Sequence, residues 1–249
     1  MCGDMLDRQS FSTADLFGRT ARLVGDDAMA RFATMRVLLF GVGGVGSWCA
    51  EALVRSGVGH LTLVDPDAVD PSNVNRQLPA LVATIGRPKV EVMRERLLAV
   101  NPLADILARQ EAYSATTAAN FAVEEYDYVV DAIDSLADKL ELILRCTRKE
   151  APCTFFSSMG AARKLDPTLL RVSEFWRVDG CPLAASLRKR MRRAQRYPER
   201  KFFCVWSPEV QRTAQMGGTL MPVTASFGLA LASLLLRDAI SRLSTTKQL

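Results

Sequence analysis

Chemistry in this chain begins at a run of glycines. Gly41-Val42-Gly43-Gly44-Val45-Gly46 spells G-x-G-x-x-G immediately behind the apolar segment Arg36 to Gly41. Glycines at these places let the chain turn tightly and let backbone N–H groups and a helix N-terminus approach phosphates. Alone the motif is weak, and a turn without a ligand is the plain alternative. Its context strengthens it: Asp65 closes the next apolar run, 19 residues past Gly46, where a carboxylate accepts hydrogen bonds from a ribose hydroxyl. NAD and ATP both satisfy this much. Residues further along the chain separate them. Asn73 and Arg76 lie in Ser72-Asn73-Val74-Asn75-Arg76-Gln77, Lys89 lies in Arg87-Pro88-Lys89, and Asp131-Ala132-Ile133-Asp134-Ser135 sets two carboxylates behind a further apolar run. Cations with a magnesium-binding carboxylate suit a triphosphate. The blander reading makes Arg76 and Lys89 solvated surface and the aspartates helix caps. A hydride-transfer enzyme needs no such carboxylate and usually wants a histidine; the only histidine is His60, so paired-histidine chemistry is excluded by counting.

The elements that must position these residues alternate. Arg36 to Gly41, His60 to Asp65, Asp105 to Arg109, Tyr128 to Ala132 and Cys153 to Ser157 read as strands. Val45 to Ser56, Val90 to Val100, a segment around Thr117 to Val123, and Ala137 to Lys149 read as the helices between them. Alternation of this kind predicts an α/β fold, a Rossmann-like, doubly wound, mostly parallel sheet. Beyond about Gly160 the order loosens: strands at Arg171 to Phe175 and Phe202 to Trp206 enclose a helix from Pro182 to about Ala194, and a helix from Pro222 to Arg242 closes the chain. No Pro/Gly/Ser-rich linker divides the 249 residues, so one domain over 1–249 is expected, with a nucleotide-binding part at about 19–160 and a substrate-facing part at about 161–249. Leu220 to Leu236 carries no charge over 17 residues, close to the lower limit of a membrane span. Its Thr224, Ser226, Gly228 and Ser233 favour a buried core helix, so no membrane is expected.

Charge is concentrated rather than large. The net charge is +5, yet Arg188 to Lys201 alone holds eight Lys/Arg against one Glu, a segment suited to a polyanion. Leu183, Leu187 and Met191 form an apolar stripe, leaving Arg188, Lys189, Arg192, Arg193 and Arg196 on other faces. With so few acidic neighbours within the segment, these five are candidate contacts to RNA phosphates; a solvated face is the alternative. Phe202, Phe203 and Trp206 lie near and could stack a base, although core strand aromatics suit them better. The six cysteines make no C-x-x-C pair, which argues against a four-cysteine zinc site. Met1 to Gly25 does not read as a secretory signal, so reduced thiols and a cytoplasmic location are expected, with Cys181 and Cys204 structural or incidental.

Taken together, GVGGVGSW, LVDPDAVDPSNVNRQ, GRPKVE and DAIDS, in this order and spacing, resemble the ThiF/MoeB/HesA superfamily, relatives of the ubiquitin-activating enzymes, over about Arg19 to Leu236. The resemblance implies a Rossmann-like sheet extended by extra strands, usually a homodimer. It also implies attack of a substrate carboxylate on the α-phosphate of ATP, giving an acyl-adenylate and pyrophosphate. Carried over residue by residue, Gly41, Gly43 and Gly46, with Gly44 between them, form the nucleotide loop, and Asp65 holds the ribose. Asn73, Arg76 and Lys89 bind phosphates, and Asp134 serves Mg2+. Arg19-Thr20-Ala21-Arg22 is similar to the family's short arginine motif, which makes Arg22 the candidate for an arginine reaching into a neighbouring subunit.

Ser47-Trp48, NVNRQ, DAIDS and the helix opening Cys181-Pro182-Leu183-Ala184 resemble in particular the tRNA threonylcarbamoyladenosine dehydratase branch. That branch implies tRNA bearing threonylcarbamoyladenosine as substrate and leaves room for a sulfur-transfer protein partner. The competing expectation is adenylation of the C-terminal glycine of a small sulfur-carrier protein. Those relatives commonly carry paired C-x-x-C ligands, absent here, and have less reason for the basic segment. A nucleotide-dependent scaffold without catalysis is the third reading, and the complete Arg76, Lys89 and Asp134 set speaks against it.

Overall fold

Four consecutive residues of β1 (Arg36–Phe40), Val37 to Phe40, are buried, so both of its faces must be covered. Val37 and Leu39 pack into one hydrophobic cluster and Leu38 and Phe40 into another, on opposite sides of the sheet. The computed structural model describes residues 11–210 and 218–246; Cys2 lies outside them. Within these residues β1 is flanked by β2 (His60–Val64) and β4 (Tyr128–Asp131), both parallel to it. β3 (Asp105–Arg109) extends the sheet past β2, and β5 (Thr154–Ser158), β7 (Phe203–Trp206) and β6 (Arg171–Glu174) extend it past β4. The order is β3-β2-β1-β4-β5-β7-β6, parallel except where β6 runs against β7. The expected Rossmann-like α/β sheet with added C-terminal strands is therefore observed, and one sheet holds strands from both halves of the chain.

On one face lie α3 (Gly46–Arg55), α4 (Lys89–Val100) and α7 (Met221–Thr246), with α1 (Thr13–Val24) and α2 (Asp26–Thr34) beside them. On the other lie α5 (Leu136–Cys146) and α6 (Pro182–Ala194). Over Met221–Ser244, α7 has the length and apolarity to cross a membrane. Here Val223, Phe227, Leu231 and Leu235 are buried among α3 and the sheet, as a core helix requires.

One expected helix is absent. Around Thr117 to Val123 there are two short 3-10 turns, Ala118–Asn120 and Val123–Glu125. The cause is local: Thr117 Oγ1 donates to the Ala112 carbonyl and accepts from the Ser114 N–H, bonds that compete with helix formation. Helices α1 and α2 were not anticipated from the sequence.

The far side of the sheet hides an ion pair. Lys139 of α5 and Asp131 at the end of β4 are both fully buried, Nζ to Oδ2 2.7 Å apart, and Ser157 Oγ donates to the same oxygen at 2.7 Å. The other oxygen accepts from the Ile133 N–H. Removing one partner strands a buried charge, at a cost of about 3–5 kcal/mol. Lys139→Met is thus expected to lower unfolding free energy by about that amount in urea titrations. Asp131→Asn/Lys139→Met should recover most of it; a single variant as stable as the parent would deny the pair its role.

Candidate functional site

The strand order reverses direction between β1 and β4, and ligands in such sheets sit outside the carboxyl ends of strands at that reversal. A cavity of about 390 Å³ occupies the place, walled by the loops after β1, β2, β4 and β5 and by the start of α7. Gly41 leaves β1 with φ +89°, a conformation that L side chains rarely adopt, and a Cβ there would lie 2.6 Å from the Ala132 carbonyl oxygen. A Cβ on Gly46 would run into the Gly41 carbonyl itself. Gly43 and Gly44 line the cavity between them.

Asp65 reaches this turn from the end of β2. Its Oδ2 accepts the Val42 N–H at 2.6 Å and its Oδ1 the Asp67 N–H at 2.9 Å. Burial pushes its carboxyl above the usual carboxylate range, opposed by those N–H groups and by the Lys89 charge. Lys89, the first residue of α4, is buried, with Nζ 2.7 Å from Asp67 Oδ2 and 4.0 Å from Asp65 Oδ1. Arg76 lines the opposite wall. One terminal nitrogen donates to the Ser72 carbonyl and to Asn75 Oδ1 at 2.9 and 2.8 Å, and its own carbonyl receives the Trp48 indole N–H at 3.1 Å. Ser47 Oγ donates to the Gly43 carbonyl and accepts from Leu78 N. The Ser47-Trp48 pair therefore stitches the glycine turn to the Arg76 loop.

The two aspartates of DAIDS divide sharply. Asp131 is the buried partner of Lys139. Asp134 is exposed on the cavity wall, and its carboxylate has no protein partner among the described residues. Asn73 is not among the lining residues. Its Oδ1 accepts the Asp70 N–H, closing the short turn Pro71–Asn73 that carries Arg76 onward. Arg22 is exposed near the end of α1 and outside its own chain's cavity: α1 is seated through Phe17 beside Gly57, before β2 begins. His60 opens β2 at that same edge, far from the site.

Sequence reasoning missed Asp67, Gln77, Asp138 and Thr224 as wall residues. Gln77 Oε1 is buried there without a hydrogen-bond partner among the described residues. Asp67 and Gln77 belong to the LVDPDAVDPSNVNRQ motif, which could have marked them, whereas nothing near Thr224 did so.

The five basic candidates also divide. Arg188 is half-buried and donates to the Val178 carbonyl at 2.8 Å and the Phe175 carbonyl at 3.4 Å. Arg196 makes two bonds to Glu141 of α5, at 2.7 and 2.8 Å. For Arg196 an acid is thus supplied by the fold, so Arg188 and Arg196 are engaged within the protein, unlike the other three of the five candidates. Lys189, Arg192 and Arg193 are exposed with no ion pair among the described residues. The stripe of α6 buries Ala184, Leu187 and Met191, while Leu183 is half-buried and lines the cavity. Among the described cysteines all five are free and buried, Cys181 and Cys204 included, and burial raises the thiols of Cys49, Cys146 and Cys204. Phe202 and Trp206 are core residues, as expected of strand aromatics, whereas Phe203 is exposed at the start of β7.

The glycine turn, the strand-end carboxylate and the paired cations mark out a family. The chain belongs to the ThiF family, whose model matches residues 17–247. Within it the likeness is to one branch: the chain is 40% identical over 177 residues to the tRNA threonylcarbamoyladenosine dehydratase of Bacillus subtilis (strain 168), covering 71% of this chain and 69% of that protein. A crystal structure of the E. coli tRNA N6-threonylcarbamoyladenosine dehydratase in complex with ATP matches with a TM-score of 0.86 at 35% identity, over 93% of this chain and 96% of that one. The sulfur carrier protein ThiS adenylyltransferase of Escherichia coli (strain K12) aligns over less, 33% identical across 139 residues, 56% of this chain and 55% of that protein.

The two glycines at the ends of the turn and the one facing the cavity should respond differently to a methyl group. A Cβ on Gly43 meets nothing nearer than Gln77 Nε2 at 3.7 Å. Gly43→Ala should keep its unfolding free energy to within about 0.5 kcal/mol and weaken ATP binding by crowding the cavity. Gly46→Ala forces backbone apart and should lose about 1–3 kcal/mol. Chemical denaturation and ATP titration of both variants test this, and equal stability of the two would refute the steric account.

Proposed function

We propose that this chain uses ATP to adenylate the carboxylate of threonylcarbamoyladenosine beside a tRNA anticodon and then lets that carboxyl close into a ring. In the first step a carboxylate oxygen attacks the α-phosphorus and pyrophosphate leaves. In the second, a nucleophile within the same modification attacks the acyl carbon, the bond to AMP breaks, and a proton passes to solvent. The net change is dehydration. The observation that carries this reading is the course of α6: its first turn borders the nucleotide cavity through Leu183, and its later turns carry unpaired cations outward. One element thus spans from the reacting carboxylate to a surface fit for RNA phosphates. Ring closure between groups already joined has a high effective concentration, which suits a site whose described thiols are buried and whose one histidine is remote.

In this reading Gly41, Gly43, Gly44 and Gly46 receive phosphates, Asp65 the ribose, and Arg76 and Lys89 the charge that develops on pyrophosphate. Asn73 acts through the turn it closes. Mg2+ fits Asp134, with Asp138 beside it: among the described residues no cluster of three acidic, Cys or His side chains could hold a metal by itself. One or two carboxylates completed by phosphate oxygens is how magnesium is commonly bound. When bound it would neutralise charge on the phosphates. Arg22 belongs to a homodimer reading. Strand β2 separates its helix from its own cavity by roughly 15 Å, which supports service to a neighbour's site. A cytoplasmic location accompanies this function, and the domain division at about residue 160 is read as nucleotide side and tRNA side of one unit.

Pyrophosphate release should follow addition of tRNA bearing threonylcarbamoyladenosine, and neither unmodified tRNA nor a sulfur-carrier protein should substitute. Release driven by the carrier protein instead would install the competing reading. Asp134→Asn should keep the fold and lose about 100-fold or more in rate. Mixing inactive Arg22→Ala with inactive Asp134→Ala should restore activity, since each mixed dimer holds one intact site; no recovery with proven subunit exchange removes the trans arginine.

Phosphate contacts release counterions, so each adds about 0.7–0.9 to the slope of log affinity against log salt. Replacing Lys189, Arg192 and Arg193 by Gln should weaken tRNA binding and flatten that slope by about two to three units, with ATP affinity unchanged. Arg196→Gln, which loses a bond to Glu141, should move the slope little. An unaltered slope in the triple variant reduces α6 to a solvated face.

A further inference from the structure

Two large aromatic side chains stand outside the core on the cationic side of the molecule. Trp176 is 44% and Tyr197 43% exposed, their ring centroids 6.4 Å apart with planes at 44°. The other two tryptophans place their indole N–H on an acceptor: Trp48 on the Arg76 carbonyl, Trp206 on Ser173 Oγ. Neither the Trp176 indole N–H nor the Tyr197 hydroxyl has a protein partner among the described residues. Folding leaves both rings partly exposed, Trp176 also meeting Phe175 edge-on at 5.2 Å, with their polar tips unused.

Their backbones are nevertheless fixed. Trp176 sits in the short turn Phe175–Arg177, anchored by Phe175, whose ring stacks on Phe202 at 5.0 Å. Arg188 ties that turn to α6 through the Val178 and Phe175 carbonyls. Tyr197 follows the left-handed cap Gln195, and its neighbour Arg196 is held by Glu141. Arg192 lies one helical turn beyond Arg188 and so on the same side of α6 as the Trp176 turn. Arg177, Arg192 and Arg193 are exposed without ion pairs among the described residues, and the two acids beside the turn, Glu174 and Asp179, accept from the Trp176 and Gly180 N–H groups. A rigid aromatic pair framed by free cations matches what single-stranded nucleic acid binds: stacking faces for bases and charge for the backbone.

We propose that Trp176 and Tyr197 form a stacking platform for an unpaired base of the RNA substrate, with Arg177, Arg192 and Arg193 on the flanking phosphates. The proposal rests on the tRNA function proposed for the cavity and specifies which region of the RNA the surface takes: an unstacked loop base, not a duplex. The charge of the rim opposes a second copy of this chain as occupant, because a self-complementary contact would bring the same cations together.

The experiment titrates wild-type protein and the variants with an unmodified anticodon stem-loop RNA and, separately, with a blunt RNA duplex. Intrinsic tryptophan emission should be quenched by the stem-loop and not by the duplex, and Trp176→Phe should remove the quenching while binding stays near wild type. Trp176→Ala/Tyr197→Ala should weaken stem-loop affinity about 5- to 100-fold with the salt slope unchanged, whereas Lys189, Arg192 and Arg193 replaced by Gln should flatten the slope. Thermal melts confirm that the variants fold, as expected for exposed positions. Unchanged stem-loop affinity in the double alanine variant, or quenching that survives Trp176→Phe, overturns the platform. Unchanged affinity with an altered sedimentation coefficient also overturns it, marking a protein interface instead. If wild-type protein releases pyrophosphate with modified tRNA while the double variant binds normally, the platform alone falls. If wild-type protein binds neither RNA, the tRNA reading falls with it.

Discussion

The Asp65 carboxylate is the knot on which the site depends. From the end of β2 it accepts the N–H of Val42, in the glycine turn after β1, and the N–H of Asp67 in its own loop. Lys89 stands between Asp65 and Asp67 and fixes the start of α4 against both. Three segments thus meet on one buried acid, and each presents backbone or charge to the same cavity. Burial raises the cost of ionising that acid, and the surrounding N–H groups and the ammonium are what keep a carboxylate tenable there. Asp131 has a parallel role at the end of β4. With Lys139 and Ser157 it shapes the turn after that strand from below, so that Asp134 is carried to the surface of the cavity with its oxygens unspent.

That division explains what could be read from the sequence and what could not. The strands and the glycine turn were legible because both depend on local pattern: apolar runs of strand length, and glycines of which Gly41 and Gly46 stand where no side chain fits. Asp65 was legible because its place follows from strand spacing. The difference between Asp131 and Asp134 was not, since it depends on Lys139, whose burial beneath the sheet is a tertiary fact. The segment around Thr117 failed for the opposite reason. Its composition permits a helix, and the hydroxyls of Ser114 and Thr117 divert the backbone into turns. Helix α1 does carry a periodic apolar face, Phe17, Ala21 and Val24, and with α2 it went unread beside the stronger strand–turn pattern. The seat of the two helices, Phe17 beside Gly57 and the Phe32 carbonyl on the Gly59 N–H, is a tertiary fact.

The basic segment was legible as charge and illegible as structure. Eight cations in a row of fourteen residues look equivalent in sequence. The fold spends Arg188 on the carbonyls of the Phe175 turn and Arg196 on Glu141. Arg188, midway along α6, holds it toward the strand β6 side, and Arg196, just past its end, toward α5. Arg200 is likewise spent on the Cys146 and Cys153 carbonyls, while Lys189, Arg192 and Arg193 are left without an ion pair among the described residues. The aromatics at β7 were legible in part: Phe202 and Trp206 lie in the core, as strand residues should, whereas Phe203 faces outward.

Stability gives only part of a reason for the cations that remain: Arg192 and Arg193 lie in the last turn of α6, where the helix dipole favours them, but their like-charged neighbours work against it. Along α6 the pairs Arg188–Arg192 and Lys189–Arg193 are like charges four residues apart, and Lys189–Arg192 and Arg190–Arg193 are three apart. Each such pair opposes the helix by about 0.2–0.5 kcal/mol. Interspersed glutamates would reverse the sign at no cost to the buried stripe of Ala184, Leu187 and Met191. A helix that tolerates this repulsion along its exposed side, while its first turn lines a nucleotide cavity, is better suited to a polyanion than to water. In the proposed complex that repulsion would fade as phosphates arrive, so the strain that α6 carries when free would become part of the driving force for binding.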